Sequence, residues 1–289
     1  MSEKVKKVID GIRAVLSFLN GLEEPKPLEV GESLTPEETF PFRAELVEIL
    51  CEILTHELVY EGLYLLLELN ILDYILPEIK AMNGVEQPPE FHPEGDVFRH
   101  TALTVHFLEN PDCKVAFAAL LHDVGKPVTF RIKERIRFDG HNTAAVPLIK
   151  RIAARLHLDS ETTRLCIYVA SEHMRLLDAK KMRSGRLLNL IKNPLFKELL
   201  VIWRADILAS HGDLDDYLFI LNKYQEYCNS QYSPPPLISG NDIILLGYSP
   251  GPIFKEILDA VKKAQEKGEV FTRGEALEFI SKNFGTRKK

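Results

Sequence analysis

"AALLHDVGKPVTF", residues 118–130, closes an apolar run of helical character on His122-Asp123 and follows it with Gly125, Lys126 and Pro127. An imidazole and a carboxylate at the mouth of a core cost free energy unless they are paired or bound to something. The stretch is therefore either a capped helix end or one corner of a ligand set. The rest of the chain has to supply the partners that decide between the two.

Working outward, the segments on both sides read as helix. "VKKVIDGIRAVLSFLNG" spaces Val5, Val8, Ile9, Ile12, Leu16 and Leu19 along one face and stops at Asn20-Gly21. Thr35-Pro36-Glu37-Glu38 has the form of a capping box with proline at the first helical position. Further helices are expected over "RAELVEILCEIL", "YEGLYLLLELN", "VFRHTALTVHFL", "PDCKVAFAALLHD", "NTAAVPLIKRIAARLHL", "SETTRLCIYVASEHM" and "LFKELLVIWRADILASHG". Thr272-Arg273-Gly274-Glu275 opens the last one with a second capping box. "NGVEQPPEFHPEGD", residues 83–96, is too rich in Pro and Gly for helix and reads as a loop. "VTFRIKERIRF" alternates Phe130, Ile132, Ile136 and Phe138 around a charged centre, the pattern of a small hairpin. The fold class is mainly α, a helical bundle with one short β-hairpin, and "QYSPPPLISG", residues 231–240, is a boundary before a smaller tail.

The 289 residues are 45% hydrophobic and 27% charged with a net charge of −6, so phosphate recognition requires a local basic patch and not a global field. The most apolar segment, residues 58–77, is interrupted by Glu61, Glu68 and Asp73, which suits core helices and not a membrane span. Cys51, Cys113, Cys166 and Cys228 are widely spaced and read as reduced, mostly buried thiols, not as a disulfide framework. The N-terminus lacks an apolar signal-peptide core, and a cytoplasmic protein is expected.

The partners of His122-Asp123 are found along the chain in the order His100, His141, His173 and Asp206. Imidazole and carboxylate together suit Mn, Fe, Co, Ni or Zn without any cysteine. Six such ligands on five helical segments are enough for two divalent ions, close together and bridged by Asp123. Two ions there would lower the pKa of a bridging water and bind the oxygens of a phosphate. Lys126 is placed to offer that phosphate a positive charge. Downstream, "MRLLDAKKMRSGR" carries Arg175, Lys180, Lys181, Arg183 and Arg186 directly after His173. It reads either as a solvated helix face or as a cationic rim guiding a phosphate. His92 is expected to brace its loop; His106, His56 and His157 are expected to be structural. Tyr217, Phe219, Tyr224 and Tyr227 are expected in the core.

"HTALTVHFL…AALLHDVGKPVTF…FDGHNTAAV…SEHM…RADILAS" resembles the HD-domain metal-dependent phosphohydrolases. More narrowly, "LNILDYILPEIKAMNGVEQPPEFHPEGDVFRHT" and "PPLISGNDIILLGYSPGPIFKEIL…GEVFTRGEALEFI" look like the HD-containing C-terminal half of bacterial CCA-adding tRNA nucleotidyltransferases and poly(A) polymerases. The resemblance runs over about residues 36–284. It implies an N-terminal helix and connector over 1–34, a neck-like helical region over 35–90, an HD domain over 91–230 and a helical tail over 231–289. It also implies metal binding by His100, His122, Asp123 and Asp206, with His141 and His173 matching the members that hold two metals. The ions implied are Mn, Ni, Co, Fe or Mg. No Gly-Gly-x-Val-Arg-Asp-like stretch of a nucleotidyltransferase head is present, so nucleotide addition is not expected. Glu172 stands where relatives often have a second histidine, and Asn142 where glutamate is common.

Two functions follow as expectations. One is a phosphohydrolase acting on a nucleotide or a 2′,3′-cyclic phosphate, with Asp123 and Lys126 at the reacting centre and Lys126, Arg175, Arg183 and Arg186 on the phosphate. The other is an RNA-binding module, directed at tRNA, that partners a separate nucleotidyltransferase and keeps a structural or vestigial metal site.

Overall fold

The computed structural model describes residues 3–285 except 23, 30 and 232–235; the middle of the expected boundary at 231–240 thus lies outside the described residues. The chain is mainly α-helical. Its described residues divide into two compact units, Met1–Tyr224 and Gln225–Lys289.

In the first unit, α1 (Glu3–Leu19) buries Val5, Val8, Ile9, Ile12, Val15 and Leu19, the stripe that its sequence spacing predicts. Thr35 caps the single turn α2 (Pro36–Thr39), its hydroxyl accepting from Glu38 N while the Glu38 carboxylate accepts from Thr35 N. The chain continues through α3 (Arg43–Leu54), α4 (Val59–Glu68), α5 (Ile71–Ile75) and α6 (Pro77–Lys80). α1 packs on α3 and α4. The Pro-rich stretch after α6 is a loop, as its composition predicts, pinned by an isolated Glu86–Asp96 bridge.

Asp96 then caps α7 (Val97–His106), and Asp112 caps α8 (Cys113–Leu121), each side chain accepting the backbone N–H three residues on. Residues 116–121 of α8 are all buried, which an apolar-all-round helix requires. α8 packs against α7, α11 (Ser160–Glu172) and α13 (Phe196–Ala209) and is the centre of the unit. Between them run the short α9 (Lys126–Thr129), the two-stranded hairpin β1 (Arg131–Ile132) and β2 (Ile136–Arg137), and α10 (His141–Leu156). Pro147 lies inside α10 without ending it. After α11, residues His173–Lys181 wind as 3₁₀ helix into α12 (Ser184–Ile191).

α14 (Asp215–Gln231) spans the division between the units. The second unit holds α15 (Gly240–Leu245), α16 (Pro252–Glu266) and α17 (Arg273–Phe284) around Ile243, Ile257, Val261 and Ile280. Thr272 and Glu275 form the second capping box. Asp242 accepts from Ser239 N and from the Arg273 guanidinium, joining the start of α15 to that of α17. Among the described residues no helix is long and apolar enough to cross a membrane.

One expectation fails. Cys51 and Cys113 form a disulfide, with Cα atoms 5.2 Å apart across 62 residues of sequence. The packing of α3 on α8 brings them together, and no local spacing reports a contact at that range. Cys166 is buried and free, its thiol pushed up to about 12 by burial; Cys228 is free and exposed.

Candidate metal centre

The centre is built from helix ends. His100 comes from the first turns of α7, His122 and Asp123 from the turn that leaves α8, and His141 opens α10. His173 caps the C-terminus of α11, and Asp206 lies in the last turn of α13. Each end is placed by the apolar face behind it, so six polar side chains meet in a core without breaking any helix.

Gly125 makes this turn possible. Its backbone angles are ordinary for any residue, φ −82° and ψ −12°. Space is the constraint: a Cβ there would be driven into His141 O and would stand 2.8 Å from Ala145 N. Glycine lets the His122–Lys126 turn lie directly against α10, which carries His141.

Asp123 is the hub. Its Oδ2 lies 3.2 Å from His122 Nε2 and 3.7 Å from His100 Nε2, and its Oδ1 lies 3.5 Å from both His141 Nε2 and His173 Nε2. His100 Nε2 is also 3.0 Å from Asp206 Oδ1. The six expected ligands fall into two groups of possible ligand atoms, each within 4.8 Å, His100, His122 and Asp206, and Asp123, His141 and His173; a third such group, His92, Glu94 and His100, adjoins the first through His100. All six candidate ligands are therefore gathered, with one oxygen of Asp123 turned to each group.

The tautomers follow from the hydrogen bonds. His122 Nδ1 donates to Ala119 O, His141 Nδ1 to Phe138 O, and His173 Nδ1 to the carbonyls of Val169 and Ala170. A carbonyl can only accept, so each Nδ1 carries a proton and each Nε2 is the nitrogen turned toward the centre. His100 Nδ1 donates to Glu94, which also accepts from His92 Nδ1. The buried atoms His100 Nε2, His122 Nε2 and Asp123 Oδ1 have no aligned hydrogen-bond partner. Nitrogens and carboxylate oxygens facing one another inside a core are costly unless a cation, a metal ion or a proton, lies between them. The residues present thus fit divalent metal, with Glu94 and the four carbonyls orienting the ligands.

The electrostatics agree. Burial works against the Asp123 carboxylate, but Lys126 and His122 hold it well below the usual range. Burial lowers His141 to about 4, so its imidazole is neutral near pH 7. Burial also opposes charge on His100, yet Asp206 and Glu94 raise it to about 9. The metal-free site therefore holds a proton on His100.

Lys126 is buried, with its Nζ 2.5 Å from Asp123 Oδ2 and 2.7 Å from Gln87 Oε1. A cavity of about 390 Å³ opens onto the centre. Its wall includes Asp123, Lys126, His141, His173 and Asp206, with Phe91, Phe138, Trp203 and Leu177 on its apolar side. The expected cationic rim is not part of that wall. Arg175, Arg183 and Arg186 are exposed, and Arg175 pairs with Glu172, its neighbour one helical turn away. The cavity cations besides Lys126 are Arg135 and Arg137 of the hairpin. Charge alternating with Ile132 and Ile136 marks the hairpin in sequence, but not its place beside the centre. Gln87 escapes a sequence reading because its partner Lys126 is 39 residues away, and Glu94 because the loop conformation that turns it onto His92 and His100 has no sequence signature.

Of the remaining histidines, His92 lines the cavity and packs edge-on against His100, with ring centroids 4.8 Å apart. His211 also lines it. His157 hydrogen-bonds Pro36 O, His56 accepts from Leu58 N, and His106 is exposed. Tyr217, Phe219, Tyr224 and Tyr227 are only partly buried, which corrects the expectation that they form core.

Residues 97–210 match the family model of the HD domain. The chain is 32% identical over 236 residues to an A-adding tRNA nucleotidyltransferase of Deinococcus radiodurans, which covers 76% of this chain and 54% of that protein. It is 30% identical over 252 residues to a CC-adding tRNA nucleotidyltransferase of Thermus thermophilus, covering 84% of this chain and 57% of the relative. A multifunctional CCA protein of Shewanella denitrificans is 33% identical over 173 residues, or 56% of this chain and 41% of the relative. The chain thus spans about half the length of the first two relatives.

Proposed function

We propose, from the premise that residues 97–210 are an HD domain in a chain related to tRNA nucleotidyltransferases, that this protein is a metal-dependent phosphohydrolase acting on a nucleotide or a 2′,3′-cyclic phosphate. The observation that carries the reading is the convergence of four imidazole Nε2 atoms on one carboxylate, with every Nδ1 already committed to an acceptor. In this reading His100, His122 and Asp206 hold one divalent ion, His141 and His173 a second, and Asp123 is shared. Such ions supply Lewis-acid polarisation of a phosphoryl oxygen and lower the pKa of a water.

The chain's own residues do the rest. Glu94 and the four backbone carbonyls fix the ring orientations. Lys126 neutralises Asp123 and places a positive charge on the cavity wall, where transition-state charge on a phosphate would develop. Phe91, Phe138, Trp203 and Leu177 offer an apolar surface for the organic part of the substrate.

The test is turnover of phosphomonoesters, phosphodiesters and 2′,3′-cyclic AMP with Mn, Ni, Co, Fe and Mg supplied separately. Turnover abolished in His122→Ala and Asp123→Ala is expected. Absence of turnover with every metal, or undiminished turnover in both variants, overturns the reading.

A second reading, a tRNA-binding module that partners a nucleotidyltransferase, is favoured by one observation. The similarity to the tRNA nucleotidyltransferases covers 84% of the chain, well beyond the HD match. Affinity for tRNA at low salt above that of an unrelated acidic protein supports it, and equal affinity removes it. A cytoplasmic setting belongs to both readings; a reducing compartment would hold Cys51 and Cys113 as thiols.

A further inference from the structure

The hairpin carries a charge pattern that works against its own folding. Its register sets Arg131 directly opposite Arg137 and Ile132 opposite Ile136. Lys133 and Arg135 frame the turn, joined by the Lys133 N–H to Arg135 O hydrogen bond. Four cations thus crowd a two-stranded ribbon with two residues in each strand. Like charges directly opposite each other on a hairpin destabilise it, and a two-stranded ribbon has little stability to spare. The nearby acids do not compensate. Glu134 is exposed at the tip, and Asp139 lies 3.8 Å from one Arg137 nitrogen with 71% of its side chain exposed.

Arg135 and Arg137 line the cavity that opens onto the metal centre. The third cation of that wall, Lys126, is already engaged by Asp123 and Gln87. The hairpin therefore presents positive charge on the wall of the cavity that also holds Asp123, His141, His173 and Asp206. An anion seated against Arg137 on that wall and Arg131, paired with it just outside the lining, would turn their repulsion into two charge-assisted contacts.

We propose that the β1–β2 hairpin is a second phosphate site, and that the substrate carries a phosphate beyond the one presented to the metal ligands. This rests on the phosphohydrolase reading for the first phosphate, but not for the second. A nucleoside bisphosphate and a 5′-phosphorylated oligonucleotide share the required chemistry.

The test reads binding without turnover. In chelator, quenching of Trp203, the chain's one tryptophan and a residue of the cavity wall, follows titration with adenosine 5′-monophosphate, adenosine 3′,5′-bisphosphate and 5′-phosphorylated diadenylate. At least one of the two multiply phosphorylated probes is expected to bind on the order of tenfold tighter than the monophosphate. Which one does so identifies the source of the second phosphate. The double variant Arg131→Gln/Arg137→Gln is expected to lose that preference and melt no lower than the parent. A merely structural arginine pair would lower the melting temperature instead. Lys150→Gln, an exposed change on α10, is expected to leave the preference intact. Equal binding of all three probes by the parent, or a preference that survives in the double variant, overturns the proposal. Absent turnover alongside an intact preference overturns the hydrolase reading alone.

Discussion

Replacing Gly125 by alanine tests whether the centre depends on the close approach of two backbones. A Cβ there would stand 2.8 Å from Ala145 N, and ordinary contact begins near 3.4 Å. The start of α10 must therefore retreat by about 0.6 Å, and more where the Cβ meets His141 O. His141 Nε2, now 3.5 Å from Asp123 Oδ1, moves with it. Functional groups of this kind tolerate roughly 0.5 Å of misplacement before their chemistry suffers. The shift crosses that limit for the group containing His141 and leaves His100, His122 and Asp206 where they are. Overpacking of this kind costs about 1–3 kcal/mol. At roughly 2–4 °C per kcal/mol for a unit of this size, the melting temperature should fall by about 2–12 °C. Calorimetry in chelator reads the stability cost, and Mn titration reads the sites. The expected result is a lower melting temperature with selective weakening of one Mn site. An unchanged melting temperature with two unchanged sites would refute the reasoning, as would loss of the other site first.

Three further outcomes follow from the same physics. His100 is held at about 9 in the metal-free protein, so a metal at its Nε2 must displace a proton. Affinity should rise with pH toward 9, and titration at pH 7 in buffers of different ionisation enthalpy should show release of about one proton per ion at that site. Asp242 is lowered to about 2 by the Ser239 N–H and by Arg273. A depressed carboxylate contributes stability above its unfolded pKa and loses it as pH falls through the folded value; amide protection over residues 236–285, taken relative to intrinsic exchange, should therefore fall as pH drops from about 4 to 2. Finally, Cys51→Ser opens a 62-residue loop and should cost about 4 kcal/mol in the loop-entropy picture. Denaturant midpoints with and without dithiothreitol check this, and identical midpoints for the parent in the two conditions would show that the bond contributes nothing.

Local rules carried much of the molecule. The α1 stripe, the Thr35 and Thr272 capping boxes, the loop over 83–96 and the 131–137 hairpin all depend on neighbours within a few residues, which a sequence displays directly. The Cys51–Cys113 bond and the Lys126–Gln87 hydrogen bond depend on segments meeting across the core, and nothing in the spacing announces them. Arg175, Arg183 and Arg186, close to His173 in the chain, are exposed and outside the cavity wall, whereas the wall takes Arg135 and Arg137 from the hairpin, a placement set by how the chain folds around the centre.

The ligand inventory was a property of the sequence: "AALLHDVGKPVTF" holds His122, Asp123 and Lys126 in an order that only an apolar helix ending in a glycine turn could present. Which nitrogen each imidazole turns inward, which oxygen of Asp123 faces which group, and which cations reach the cavity were decided by tertiary structure alone. The reason is physical. Residue types set what a side chain can bind, whereas tautomer, direction and neutralisation are set by partners that only folding brings within about 3 Å.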